Sequence, residues 1–147
     1  MATTSNINKG VGFPRVIFYG ILTELSLIIV QVFYLQIYTY MNPGAPLAFT
    51  TDYMITQGFY VFQIVGFVVY VIVAFLIRGK IADNLIGKMI AFLAAAAVAE
   101  VAFYLFIQAS YQGAFIYSIL DKFMAAVFGL ILYYYTHRNS QIPDQAA

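Results

Sequence analysis

Four long apolar runs alternate with short polar or turn-forming segments along this chain. They cover Val16 to Tyr40, Tyr53 to Ile77, Met89 to Ala109 and Ala114 to Tyr135. Each is continuous rather than alternating, which excludes the two-residue period of barrel strands. A helix of about 20 residues crosses about 30 Å of hydrocarbon. The pattern therefore predicts an all-α integral membrane protein, built as a four-transmembrane-helix antiparallel bundle in one domain.

The connections are legible. Met41-Asn42-Pro43-Gly44-Ala45-Pro46 is a turn cluster, and Ser110-Tyr111-Gln112-Gly113 predicts a tight hairpin. Arg78 through Lys88 joins the second and third runs. Phe13-Pro14-Arg15 opens the first, and Pro suits the first turn of a helix. Polar tails at 1–14 and 137–147 are expected outside the spans, with no cleaved signal peptide.

Polar positions recur at helical spacing inside the runs. Gly20, Glu24, Gln31 and Tyr38 share a stripe in the first span, and Thr56, Gln63, Gly66 and Tyr70 in the second. Ala96, Glu100, Tyr104 and Gln108 recur in the third, and Ser118, Lys122, Ala125 and Gly129 in the fourth. Small residues let helices approach and polar ones bond across the gap, so the four stripes are expected to converge on one axis. Phe59, Tyr60, Phe62, Phe67, Tyr70 and Phe75 surround the second span. A helix apolar all round suits lipid or a neighbouring subunit.

Composition narrows the class. The chain has 147 residues, 63% of them hydrophobic and 9% charged, against about a quarter charged in a typical soluble domain. Net charge is +1, so no basic field exists for nucleic acid. Cys is absent and His137 is the single histidine, which removes thiolate metal sites, disulfides and a haem held by two histidines of one copy. Lys9, Arg15, Arg78, Lys80, Lys88 and Arg138 fall on one side of the predicted spans, while the two opposite loops carry only Asp52. The positive-inside rule then places both termini and the middle loop on the positive side, the cytoplasm of a cell membrane or the matrix or stroma of an organelle. Tyr and Phe at the span ends, including Tyr133-Tyr134-Tyr135, read as interfacial belts.

Four charges lie within the runs: Glu24, Glu100, Asp121 and Lys122. Each costs roughly 2.5–3.5 kcal/mol at the bilayer centre, so a partner is expected. Glu100 and Lys122 lie about ten and about nine residues below the same membrane face, hence at nearly equal depth. A short hairpin makes their helices neighbours. A Glu100–Lys122 ion pair is predicted, with Glu24 in the network or one turn below it. Asp121 points about 100° away from Lys122 and falls off the axis. This intramembrane network reads either as a structural ion pair or as a proton relay, with Gln31, Gln63, Tyr104 and Gln108 as its polar stripe.

In topology the pattern resembles tetraspan families such as MARVEL-type proteins and small accessory subunits of respiratory or photosynthetic complexes. Glu24 is similar in placement to the first-span Glu of small multidrug transporters, but the charged third and fourth spans depart from that pattern, and no family is assigned. The leading expectation is a non-catalytic membrane subunit that packs within a complex or homo-oligomer. Its expected partners are the lipid bilayer and other membrane subunits or copies, with no nucleic acid. The alternative is a small proton- or cation-coupled transporter using Glu24, Glu100 and Lys122. The chain supplies no cofactor ligands of its own, and its apolar interior is compatible with a bound lipid or quinone.

Overall fold

The computed structural model describes residues 10–44, 59–106 and 112–138. The described residues form an all-helical bundle of four helices: α1 (Phe13–Met41), α2 (Phe59–Arg78), α3 (Leu85–Phe106) and α4 (Gln112–Arg138). Three of them contain stretches long and apolar enough to cross a membrane, Phe13–Met41, Leu85–Phe103 and Ile116–Arg138. In α2 the corresponding apolar stretch, Phe62–Arg78, is shorter.

Local chemistry sets the helix ends. Pro14 sits in the first turn of α1, after an extended Gly12. At the other end Asn42 turns back, its backbone N–H and its side-chain Nδ2 both donating to the Tyr38 carbonyl. Pro43 and Gly44 follow and do not continue the helix. Before α3, Asn84 adopts φ 45°, a left-handed conformation that Asn tolerates. Its Oδ1 accepts from the Gly87 N–H at 3.3 Å, capping the helix start. The hydroxyls of Thr23, Ser26 and Thr39 donate to carbonyls four residues back, which satisfies them within α1.

Two boundaries differ from the sequence reading. Lys88 belongs to α3, not to the loop, and is buried. It stays helical because its ammonium meets Asp83 at 2.5 Å and lies 5.8 Å from the centre of the Phe13 ring. The aliphatic stem is thereby buried while the charge is paired. At the C-terminal side, His137 and Arg138 form the last turn of α4 rather than a tail. Thr136 Oγ1 donates to the Leu132 carbonyl, and His137 Nδ1 lies 3.0 Å from the Tyr133 carbonyl. Residues 53–58 of the expected second span and 107–109 of the third lie outside the described residues.

The packing order also differs. The short hairpin predicts α3 and α4 as close neighbours, yet the broadest interfaces join α1 to α3 and α2 to α4. Glycine explains the pairing. A Cβ on Gly20 would collide with the Phe92 carbonyl oxygen, and one on Gly129 would sit 2.5 Å from the Val71 carbonyl oxygen. Backbone thus meets backbone at one point in each pair, which a larger residue would prevent.

The core is small-residued at its centre: Ala74, Ala96, Ala125 and Ala126 are buried beside Val16, Ile77 and Met89. Tyr70 and Phe92 are the largest fully buried side chains and meet edge-on at 5.7 Å. Tyr70, read from sequence partly as an outward aromatic, faces inward because it follows Gly66 by one turn on the polar stripe. Contacts at one end of the bundle join the start of α1 to the segment before α3, through Val11 N–H to the Lys80 carbonyl, and the end of α2 to the end of α4.

Candidate functional site

All four helices contribute one or more polar side chains to a single buried cluster. Lys122 on α4 places its Nζ 2.8 Å from Oε2 of Glu24 on α1 and 2.7 Å from Oε2 of Glu100 on α3. Tyr70 on α2 donates its hydroxyl to Glu24 Oε2 at 2.7 Å. Ser118, one turn before Lys122, donates to Glu100 Oε1 at 2.7 Å. The ammonium also lies 5.6 Å from the centre of the Tyr70 ring. Relative exposures of 4% for Glu24, 5% for Glu100 and 8% for Lys122 show that none of the three charges is left to solvent.

The helical repeat brings these residues together. Glu24 follows Gly20 by four positions, so the close approach of α1 to α3 at Gly20 carries Glu24 toward the axis. Ser118, Lys122, Ala125 and Gly129 are all buried, giving α4 one continuous inward face. Tyr70 and Ala74 form the inward face of α2, and Phe92, Ala96 and Glu100 that of α3.

Electrostatically the cluster holds two carboxylates against one ammonium. Both acids share the same donor, and each also accepts a neutral hydroxyl. Buried ion pairs require this sort of full engagement, because each charge removed from water carries a desolvation cost of several kcal/mol. Such bonds to charged groups are also shorter and stronger than neutral ones. Chemically, the arrangement can hold charge, fix helix register, or exchange a proton between carboxylates on α1 and α3. Among the described residues no group of three His, Cys, Asp or Glu side chains could hold a metal ion.

The expected Glu100–Lys122 pair forms, and Glu24 joins it directly. Asp121 lies apart: it is partly buried and makes no hydrogen bond or ion pair among the described residues. Gln31 and Gln63 are partly buried and outside the cluster. Gln108 and the side chain of Tyr104 lie outside the described residues. Tyr70 and Ser118 are the cluster members that sequence reasoning placed on stripes without assigning them to the charged network. Their signal was helical register: each sits on the same face as a small or polar neighbour, Gly66 for one and Lys122 for the other.

Away from the central cluster, Asp83 answers to Lys88. The hydrogen bond from the Lys88 ammonium, with its positive charge, holds the exposed Asp83 carboxyl below its ordinary value. Comparison of the chain with protein-family models, with curated proteins and with solved structures returns no match.

Proposed function

We propose that this chain is a non-catalytic integral membrane subunit whose four helices run alternately up and down through the bilayer and pack within a larger complex or with copies of itself. One observation carries this reading. The five polar side chains of the central cluster bond to one another, drawing on all four helices, so that each is engaged by another member of the cluster. Such a cluster fixes the register of helices whose close pairing the glycines permit.

The outer surface supports the same reading. Large apolar side chains such as Phe33, Val98 and Phe106 are exposed along the helices, as suits lipid or a neighbouring helix. Between α1 and α3 lies an outer groove of about 650 Å³, lined by residues including Ile17, Ile21, Leu25, Ala95, Ala99 and Ala102. Its small side chains offer a seat on which a further helix approaches closely. Orientation is supported by the basic residues Arg15, Arg78, Lys80, Lys88 and Arg138, which lie at or beyond the starts of α1 and α3 and the ends of α2 and α4.

The test is purification from the native membrane in mild detergent, reading mass and co-purifying proteins. A complex or a defined oligomer is expected, and a lone monomer at all concentrations contradicts the proposal. A proton- or cation-coupled transporter is the second reading. It is favoured by the unequal count of two carboxylates to one ammonium, which a mobile proton or cation would balance. Reconstituted liposomes containing the parent, Glu24→Gln or Glu100→Gln decide it: flux in the parent and its loss in either variant supports transport, and no flux in the parent removes it.

A further inference from the structure

At the basic end of the bundle, α2 and α4 finish side by side around a second pocket. Its volume is about 600 Å³, and its walls include Arg78, Tyr133, Tyr134, Tyr135, His137 and Arg138. None of these belongs to the central cluster. We propose that this pocket binds a phosphate-bearing anion, with an anionic lipid headgroup as the membrane source of that chemistry.

Arg78 is the reason. Its guanidinium is oriented by two hydrogen bonds, from Nη1 to the Ile81 carbonyl and from Nη2 to the Tyr134 hydroxyl, each 3.2 Å. The faces of Tyr133 and Tyr134 lie 5.1 and 5.0 Å from its central carbon. The group is thus fixed before any ligand arrives, which lowers the ordering cost of binding. It is also short of acceptors: Nε is buried with no hydrogen-bond partner among the described residues. Guanidinium groups present five donors in a planar fork that matches phosphate oxygens.

The rest of the wall is built to match. His137 stacks on Tyr133 with centroids 4.0 Å apart, and Phe75 meets Tyr133 edge-on at 5.5 Å. The Tyr133 carbonyl can only accept, so His137 Nδ1 donates to it across 3.0 Å. Tyr134, accepting from Arg78, keeps its own hydroxyl proton to donate. The carbonyl ends of α2 and α4 each contribute about half a negative charge, which the two arginines exceed. The described acid in the segment that follows α2 is Asp83, and Lys88 already engages it. Ile131, one turn inward from the tyrosines, also lines the pocket and continues it toward the apolar helix surface. An amphiphile with a phosphate head and an acyl chain fits that order of polar rim and apolar depth.

The lipid source rests on the membrane placement proposed above, whereas the anion chemistry does not. Binding is measured on the whole protein in uncharged detergent by native mass spectrometry, with phosphatidylglycerol, phosphatidylcholine and inorganic phosphate as separate probes. Phosphatidylglycerol is expected to bind at least about tenfold more tightly than phosphatidylcholine, and Arg78→Gln to remove that preference. Arg138→Gln, on the open rim, should weaken it without touching the Ile81 contact, and so covers the case in which Arg78→Gln misfolds. Lys80→Gln removes one charge at the same end but outside the pocket, and should leave it intact. Arg78-dependent binding of inorganic phosphate with no lipid preference supports the anion site and assigns it to a soluble ligand. Equal binding of both lipids with no phosphate binding, or equal losses in Arg138→Gln and Lys80→Gln, overturns the proposal. Carbonate extraction of native membranes tests insertion alone, so a failed membrane reading is distinguished from a failed pocket.

Discussion

Replacing Lys122 by Met removes the one positive charge that two buried carboxylates share, while keeping much of the side chain's length. Both Glu24 Oε2 and Glu100 Oε2 touch Nζ, so the two oxygens lie no more than about 5.5 Å apart. At an effective dielectric of about 20, two bare negative charges at that separation repel by about 3 kcal/mol. The attraction of each to the ammonium is lost as well, offset by no longer desolvating a lysine. Removing one partner of a buried pair typically costs about 3–5 kcal/mol, and this variant should fall in that range. The unpaired carboxylates, not the missing lysine, are the source of the loss. Lys122→Met combined with Glu24→Gln and Glu100→Gln should therefore recover most of it. Reversible unfolding in mixed micelles, followed by circular dichroism, measures both. A single-variant loss below about 1 kcal/mol, comparable to a scattered lipid-facing change, would refute the reasoning. So would a triple variant no more stable than the single one.

The remaining predictions use the same unfolding assay unless stated. Tyr70→Phe keeps the ring against Phe92 but deletes the donor to Glu24; the loss should lie between about 0.6 kcal/mol, the average for interhelical bonds in membranes, and about 3 kcal/mol, the upper range for bonds to charged groups. Gly20→Ala and Gly129→Ala should each destabilise by about 1–3 kcal/mol through forced separation of paired helices, whereas Gly66→Ala, whose added Cβ meets only Leu27 Cδ1 at 4.0 Å, should be neutral or stabilising. The Asp83 carboxyl is held below its ordinary value when folded, so its contribution is present above the unfolded value and is lost as pH falls through the folded one. Carbon-13 titration of Asp83 should show a midpoint below 3.8, and Lys88→Met should return it to the ordinary range.

Depth along a helix proved readable from sequence. Glu100 and Lys122 lie at matching distances from one shared hairpin, and a rise of 1.5 Å per residue suffices to pair them. The stripe positions nearest the cluster, Glu24, Tyr70, Glu100 and Lys122, were legible for the same reason, since residues spaced three and four apart share a face, whereas Gln31 and Gln63 on the same stripes stay outside it. Which helices pack most closely was not legible. Chain adjacency argues for α3 against α4, but close contact depends on what faces a glycine, and Gly20 and Gly129 meet Phe92 and Val71, residues far away in sequence. The role of Tyr70 was equally ambiguous: in a helix with aromatic residues on every side, a tyrosine that donates to a buried acid looks like one that faces lipid. Lys88 and His137 read as loop and tail because charge and polarity usually mark a boundary. Their partners, Asp83 and Tyr133, keep both within helices. The same limit hid the Arg78 pocket, since a Tyr-Tyr-Tyr run near a span end announces an interfacial belt and says nothing of the cation opposite.

At the centre of the bundle one ammonium is bound by two carboxylates from different helices. Solid-state NMR in lipid bilayers tests this most directly, using nitrogen-15 at Lys122 Nζ and carbon-13 at the Glu24 and Glu100 carboxyl carbons, with Glu24→Gln and Glu100→Gln samples assigning each signal. Strong dipolar dephasing of Nζ by both carbons is predicted, in keeping with Nζ–O separations of 2.8 and 2.7 Å. Dephasing by neither carbon, or by Glu100 alone with Glu24 beyond hydrogen-bonding reach, would contradict it.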